Sequence, residues 1–99
     1  MKIVVTGGAG FIGTNFIYHL VSKYPDYKII CIDKLTYAGN KDNLAPLFKN
    51  PNFKFYKTDI CSKSSIEKIF SKERPDIVVN FAAESHVDNS IKNTFIFSV

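Results

Sequence analysis

The residues best equipped for chemistry stand at the start of the chain. In "VVTGGAGFIGTNF", glycines occupy positions 7, 8, 10 and 13 directly behind an apolar run. Gly8, Gly10 and Gly13 fit G-x-G-x-x-G, while Gly7, Gly10 and Gly13 fit G-x-x-G-x-x-G. Either spacing suits a tight turn that lets backbone N–H groups at a helix start meet a pyrophosphate while helix and strand pack closely. Asp33 closes a second apolar run, "KIICID". A carboxylate there accepts hydrogen bonds from ribose hydroxyls and repels a 2'-phosphate, which favours NAD over NADP, whereas Lys34 beside it pulls toward NADP. Asp59 and Ile60 end a third run, where the acid can accept from an adenine amine and the isoleucine can pack on the ring. An acid placed before a helix start is the plain alternative for Asp59. In "NFAAES", 80–85, Ala82 and Ala83 let a cofactor lie against backbone.

Other suggestive combinations carry less. Ser85, His86 and Asp88 are close in sequence, but no nucleophile turn surrounds the serine, so a hydrolytic triad lacks support. Two Tyr-x-x-x-Lys strings occur, Tyr24 to Lys28 and Tyr37 to Lys41. Such a pair works when one helical turn brings the ammonium to the phenol. The first string contains Pro25 and the second crosses an Ala-Gly-Asn turn, so both read as coincidences. Cys31 and Cys61 have no metal spacing, and the expectation is no metal and a reducing, cytoplasmic compartment.

These groups need elements to hold them. "KIVVT" at 2–6 reads as a buried parallel strand, and Phe11, Ile12, Phe16, Ile17, Leu20 and Val21 put an apolar face on a helix over 11–23. "YPDY" breaks that helix ahead of a strand at 28–33. A loop with one short helix around 41–48 leads to a more exposed strand at 53–60. A helix over 62–72 follows, with Ile66, Ile69 and Phe70 on one face and serines as N-caps, then a central strand at 75–83. The apolar "FIFSV" reads as the start of another helix. The alternation predicts an α/β, Rossmann-like doubly wound parallel sheet of about four strands in the order 3-2-1-4, with residues 1–99 as one dinucleotide-binding portion. The switch point falls beside the first strand, where the glycines lie. A fourth strand with an unpaired edge predicts self-association of these residues in isolation.

Composition narrows the partners. The 99 residues are 45% hydrophobic and 22% charged, the profile of one folded domain. The net charge of +4 comes from lysines placed singly and one arginine, Arg74, so a nucleic-acid footprint is unsupported. No apolar run reaches membrane length.

The motifs "VTGGAGFIG", "DKLTYAGN", "TDI" and "AAESHVD" together make the chain resemble the extended short-chain dehydrogenase/reductase family, and within it the sugar-nucleotide 4,6-dehydratases. The resemblance implies NAD contacts from Gly7, Gly10, Phe11, Ile12 and Gly13 at the pyrophosphate. It implies others from Asp33, Lys34, Leu35 and Thr36 around the ribose, from Asp59 and Ile60 at the adenine, and from Phe81, Ala82, Ala83, Glu84 and Ser85 along the fourth strand. Ser85 would also reach a nucleotide-sugar substrate, dTDP-glucose by the narrower motifs. Asn89 departs from the pattern, since an arginine commonly follows the aspartate. The implied reaction oxidises the sugar at C4, eliminates water across C5 and C6 and returns the hydride to C6. The family's catalytic Tyr-x-x-x-Lys helix and acidic pair, and its substrate domain, have no counterpart among these residues. The expectation for the 99 residues alone is therefore weak NAD binding without turnover, and for a full-length member a homodimer. A related epimerase, a dehydratase of another nucleotide sugar and a non-catalytic NAD-binding module are the alternatives.

Overall fold

The computed structural model describes residues 1–7, 11–34, 41–59, 61–81 and 95–98, with backbone only for 11, 41–43 and 95–98. β1 (Lys2–Thr6), β2 (Lys28–Asp33), β3 (Phe53–Lys57), β4 (Ile77–Asn80) and β5 (Phe95–Ser98) form one parallel sheet in the order β3-β2-β1-β4-β5. The expected 3-2-1-4 arrangement is its first four strands.

The fifth strand corrects the reading of "FIFSV" as a helix start. A four-residue stretch whose first three residues are aromatic or β-branched is too short to hold a helix by itself, and here it pairs with the open edge of β4, Ile77 to Phe95 through Asn80 to Ser98. The edge of β4 is therefore covered, and the ground for expecting self-association through that strand is gone.

Successive strand residues face opposite sides of the sheet, and each side has its own core. Ile3, Val5, Ile29, Cys31, Phe53 and Val79 lie under α1 (Phe11–Lys23) and a 3-10 helix (Lys41–Lys49), against Ile17, Leu20, Leu44 and Leu47. Val4, Ile30, Ile32 and Val78 lie under α2 (Lys63–Glu73), against Ile66, Ile69 and Phe70. Burying each of those three α2 side chains contributes on the order of 1.5–3 kcal/mol. Helices on both faces make the sheet doubly wound, and they explain why β1, β2 and β4 read as continuous apolar runs. β3, at the sheet edge, has only Phe53 fully buried, as its alternating pattern implied.

α1 ends as "YPDY" required. Tyr24 N–H still donates to the Leu20 carbonyl at 2.8 Å, Tyr27 N–H turns back to the Tyr24 carbonyl at 3.0 Å, and their rings stack 4.6 Å apart. Tyr24 lies past the helix and Lys28 begins β2, so that Tyr-x-x-x-Lys string cannot form a helical pair. The string at Tyr37 runs through residues outside the described ones.

α2 starts at Ser62, whose carbonyl accepts the Ile66 N–H at 3.0 Å, but its hydroxyl donates to Ser65 Oγ at 3.0 Å instead of capping backbone. Serine is thus the N-cap by position and not by side-chain bond. At the other end Arg74 takes φ 49°, ψ 62°, and its N–H donates to the Phe70 carbonyl at 2.9 Å. A side chain with a Cβ is strained in this left-handed conformation. Arg74→Gly is expected to stabilise the fold by about 0.5–1 kcal/mol, read as a higher urea midpoint with unchanged slope.

Candidate dinucleotide site at the switch point

The carboxyl ends of the strands gather the polar residues. Thr6 pairs in register with Ile32 on one side and Asn80 on the other, so β1 is where the sheet's winding reverses. Backbone bonds carry the ladders one step further: Gly7 N–H donates to the Ile32 carbonyl at 2.9 Å, and Phe81 N–H to the Thr6 carbonyl at 2.9 Å. Gly7, Asp33 and Phe81 consequently share one edge of the sheet.

Gly7 has φ 73°, the left-handed conformation that a Cβ disfavours. The chain leaves β1 in this conformation and enters α1, where Gly13 is buried, so a side chain at 13 would have to displace its surroundings. Ile12 in the first turn is exposed. Phe11 begins the helix by its backbone, and Gly8 and Gly10 lie outside the described residues. The turn, the buried glycine and the exposed Ile12 at the start of a helix fit a pyrophosphate approaching backbone.

Asp33 is buried, 1% exposed, and stands in register with Lys57, while its carbonyl accepts the Thr58 N–H at 3.0 Å. Lys34, by contrast, is exposed, and its ammonium lies 3.6 Å from Asp59 Oδ2. The other oxygen of Asp59 accepts the Cys61 N–H at 2.9 Å, and its carbonyl accepts the Ser62 N–H at 2.9 Å. Asp59 thus shapes the turn into α2, the plainer of its two sequence readings, and an adenine contact would be an addition to those bonds. Phe81 packs on Phe16 of α1, ring centres 5.5 Å apart, just past β4. Leu35, Thr36, Ile60, Ala82, Ala83, Glu84 and Ser85 lie outside the described residues, as do His86, Asp88 and Asn89.

Sequence reasoning passed over one pair. The Thr6 hydroxyl donates to Asn80 Oδ1 inside the sheet, joining β1 to β4 directly beneath the glycine turn. The signal was a polar residue at the end of each apolar run, "VVT" and "VVN". A buried hydroxyl and amide at this place must be hydrogen-bonded, and their mutual bond fixes the two strand ends together.

The opposite end of the sheet has a different character. Glu73, at the last turn of α2, is buried and accepts hydrogen bonds from Tyr56 Oη and from Lys54 Nζ at 3.0 Å, with Lys2 Nζ at 3.5 Å. Burial pushes its carboxyl up, but the bonds from Tyr56 and Lys54 and the charges of Lys54 and Lys2 outweigh that and hold it below the ordinary glutamate value. Burial and the bond to Glu73 raise the Tyr56 phenol, and the same carboxylate raises Lys54. Among the described residues no His, Cys, Asp and Glu grouping could hold a metal, and no helix is long and apolar enough to cross a membrane.

The chain is similar in sequence and geometry to sugar-nucleotide enzymes. A dTDP-D-glucose 4,6-dehydratase of Dictyostelium discoideum is 48% identical over 97 residues, 98% of this chain and 22% of that protein. The crystal structure of dTDP-glucose 4,6-dehydratase from Bacillus anthracis in complex with NAD superposes with a TM-score of 0.80 at 44% identity, covering 85% of this chain and 27% of that one. UDP-glucose 4-epimerase of Thermotoga maritima, solved with UDP-glucose, gives a TM-score of 0.70 at 38% identity, over 92% of this chain and 27% of its own. The chain spans about a quarter of the length of the relatives it matches. The model of the GDP-mannose 4,6 dehydratase family matches residues 4–98, and the chain belongs to that family.

Proposed function

We propose that these residues are the NAD-binding portion of a sugar-nucleotide 4,6-dehydratase acting on dTDP-glucose, whose substrate domain and catalytic tyrosine and lysine belong to other parts of the polypeptide. One observation carries the reading: a left-handed glycine turn and a buried aspartate share the carboxyl edge of a parallel sheet at its switch point. NAD, when bound, supplies a hydride acceptor and later returns the hydride.

The chain's own residues do the holding. Gly7, Gly10, Phe11, Ile12 and Gly13 present backbone to the pyrophosphate. Asp33 accepts from the ribose hydroxyls, with Lys34, Leu35 and Thr36 about the same sugar, and Asp59 and Ile60 border the adenine. Phe81, Ala82, Ala83, Glu84 and Ser85 run along the nicotinamide half, where Ser85 also reaches the sugar nucleotide. Cys31, buried, and Cys61, exposed, are not joined in a disulfide, which supports a reducing, cytoplasmic setting. The full-length protein is read as a homodimer that binds neither membrane nor nucleic acid.

Titrating NAD and NADP into the full-length protein tests the reading. Saturable NAD binding, at least about tenfold tighter than NADP, is expected from the repulsion of a 2'-phosphate by Asp33, and an NADP preference would sink it. The fold shared with UDP-glucose 4-epimerase keeps one second reading. Incubation with dTDP-glucose separates the two, since a 4-keto-6-deoxy product marks the dehydratase and a C4 epimer the epimerase.

A further inference from the structure

Beyond the last ladder pair of β2 and β3, two exposed charges meet. Lys34 Nζ is 3.6 Å from Asp59 Oδ2, with the side chains 54% and 45% exposed. Asp59 is anchored, because its other oxygen holds the Cys61 N–H and its carbonyl holds the Ser62 N–H. An exposed pair of this kind adds little to stability. Its consequence is the place to which it confines a cation.

That place matters for a dinucleotide. Asp33 rejects a 2'-phosphate by repulsion, but an unrestrained lysine at the next position would offset that repulsion and pair with the phosphate. A cation already held against the turn into α2 cannot do so without breaking its bond to Asp59.

We infer that Asp59 is a specificity-determining residue: it tethers the Lys34 ammonium and withholds it from a 2'-phosphorylated adenosine, so that Asp33 selects the free 2'-hydroxyl. The inference rests on the NAD reading above and adds to it a residue that acts through another. Asp59→Asn removes the tethering charge while keeping an oxygen for the Cys61 N–H, so the turn retains its acceptor.

NAD and NADP are titrated calorimetrically into the full-length wild type, Asp59→Asn, Lys34→Ala and the double variant. Asp59→Asn is expected to narrow the preference for NAD by on the order of fivefold, and adding Lys34→Ala should remove that gain. Lys34→Ala alone removes a residue bordering the ribose and is expected to weaken both dinucleotides together, with their ratio kept within about twofold of wild type, because the tethered lysine does nothing to distinguish NADP. An unchanged preference in Asp59→Asn overturns the inference. So does a gain that survives in the double variant, which would assign it to lost repulsion or to Lys57 at the end of β3. If Asp59→Asn does not fold, Lys34→Ala decides alone, since a several-fold sharper NAD preference would show the lysine already available to NADP. Wild-type protein that binds no NAD refutes the proposed function instead.

Discussion

Gly7→Val is expected to weaken NAD binding to the full-length protein by at least about tenfold. A β-branched residue at φ 73° is strained by roughly 1–2 kcal/mol or more, and the turn can relieve this only by rotating out of the left-handed region. Rotation breaks the bond from Gly7 N–H to the Ile32 carbonyl and carries the start of α1 with it. Every backbone donor offered to the pyrophosphate then moves. Gly7→Asn should retain more affinity than Gly7→Val, because asparagine tolerates this conformation. Titration of both variants checks the ordering, and a valine variant that binds NAD as the wild type does would show that the turn is not the seat.

The second large effect concerns stability and its pH dependence. Glu73→Ala should destabilise the fold by about 1–2 kcal/mol, since it removes the acceptor shared by Tyr56, Lys54 and Lys2. The lysine ends are partly exposed and rehydrate when freed, so the loss stays below the sum of three charged bonds. In the wild type the Glu73 carboxyl lies below its ordinary value, and the unfolded chain therefore binds the proton first as pH falls. The contribution is complete above about pH 4.5 and disappears as pH drops through the lowered value. Tyr56 and Lys54 are raised, so their share is lost in the alkaline direction, above about pH 10. Urea midpoints measured across pH should fall at both ends for the wild type and lie flatter for Glu73→Ala. Parallel curves for the two proteins would contradict this role for Glu73.

The sequence was most readable where one residue type leaves one physical option. Strands covered on both faces must be apolar throughout, which is why β1, β2 and β4 stood out, and a glycine run between strand and helix must be a turn. Asp33 stood out because an acid at the end of an apolar strand has few bland explanations, and the structure buries it at the end of β2. Arrangements that join distant residues were not readable in this way. Thr6 and Asn80 are 74 positions apart, and neither says that the other is its partner. Glu73 looks like an ordinary acid at a helix end until β1 and β3 bring Lys2, Lys54 and Tyr56 to it. The run "FIFSV" is too short for periodicity to choose between helix and strand, and an available neighbouring edge decided it.

The two-sided core has one more consequence, for the accuracy with which the turn is placed. Side chains of β1 alternate between the layers, Ile3 and Val5 toward one and Val4 toward the other. A slip of one residue would exchange the contents of both layers at once, so intermediate positions are not available to the strand. β1 can advance only in steps of about 3.3 Å, each heavily penalised. Gly7 is therefore indexed along the strand axis by the buried side chains of β1, which add a lengthwise constraint to the local bonds from Gly7 N–H to the Ile32 carbonyl and from Thr6 to Asn80.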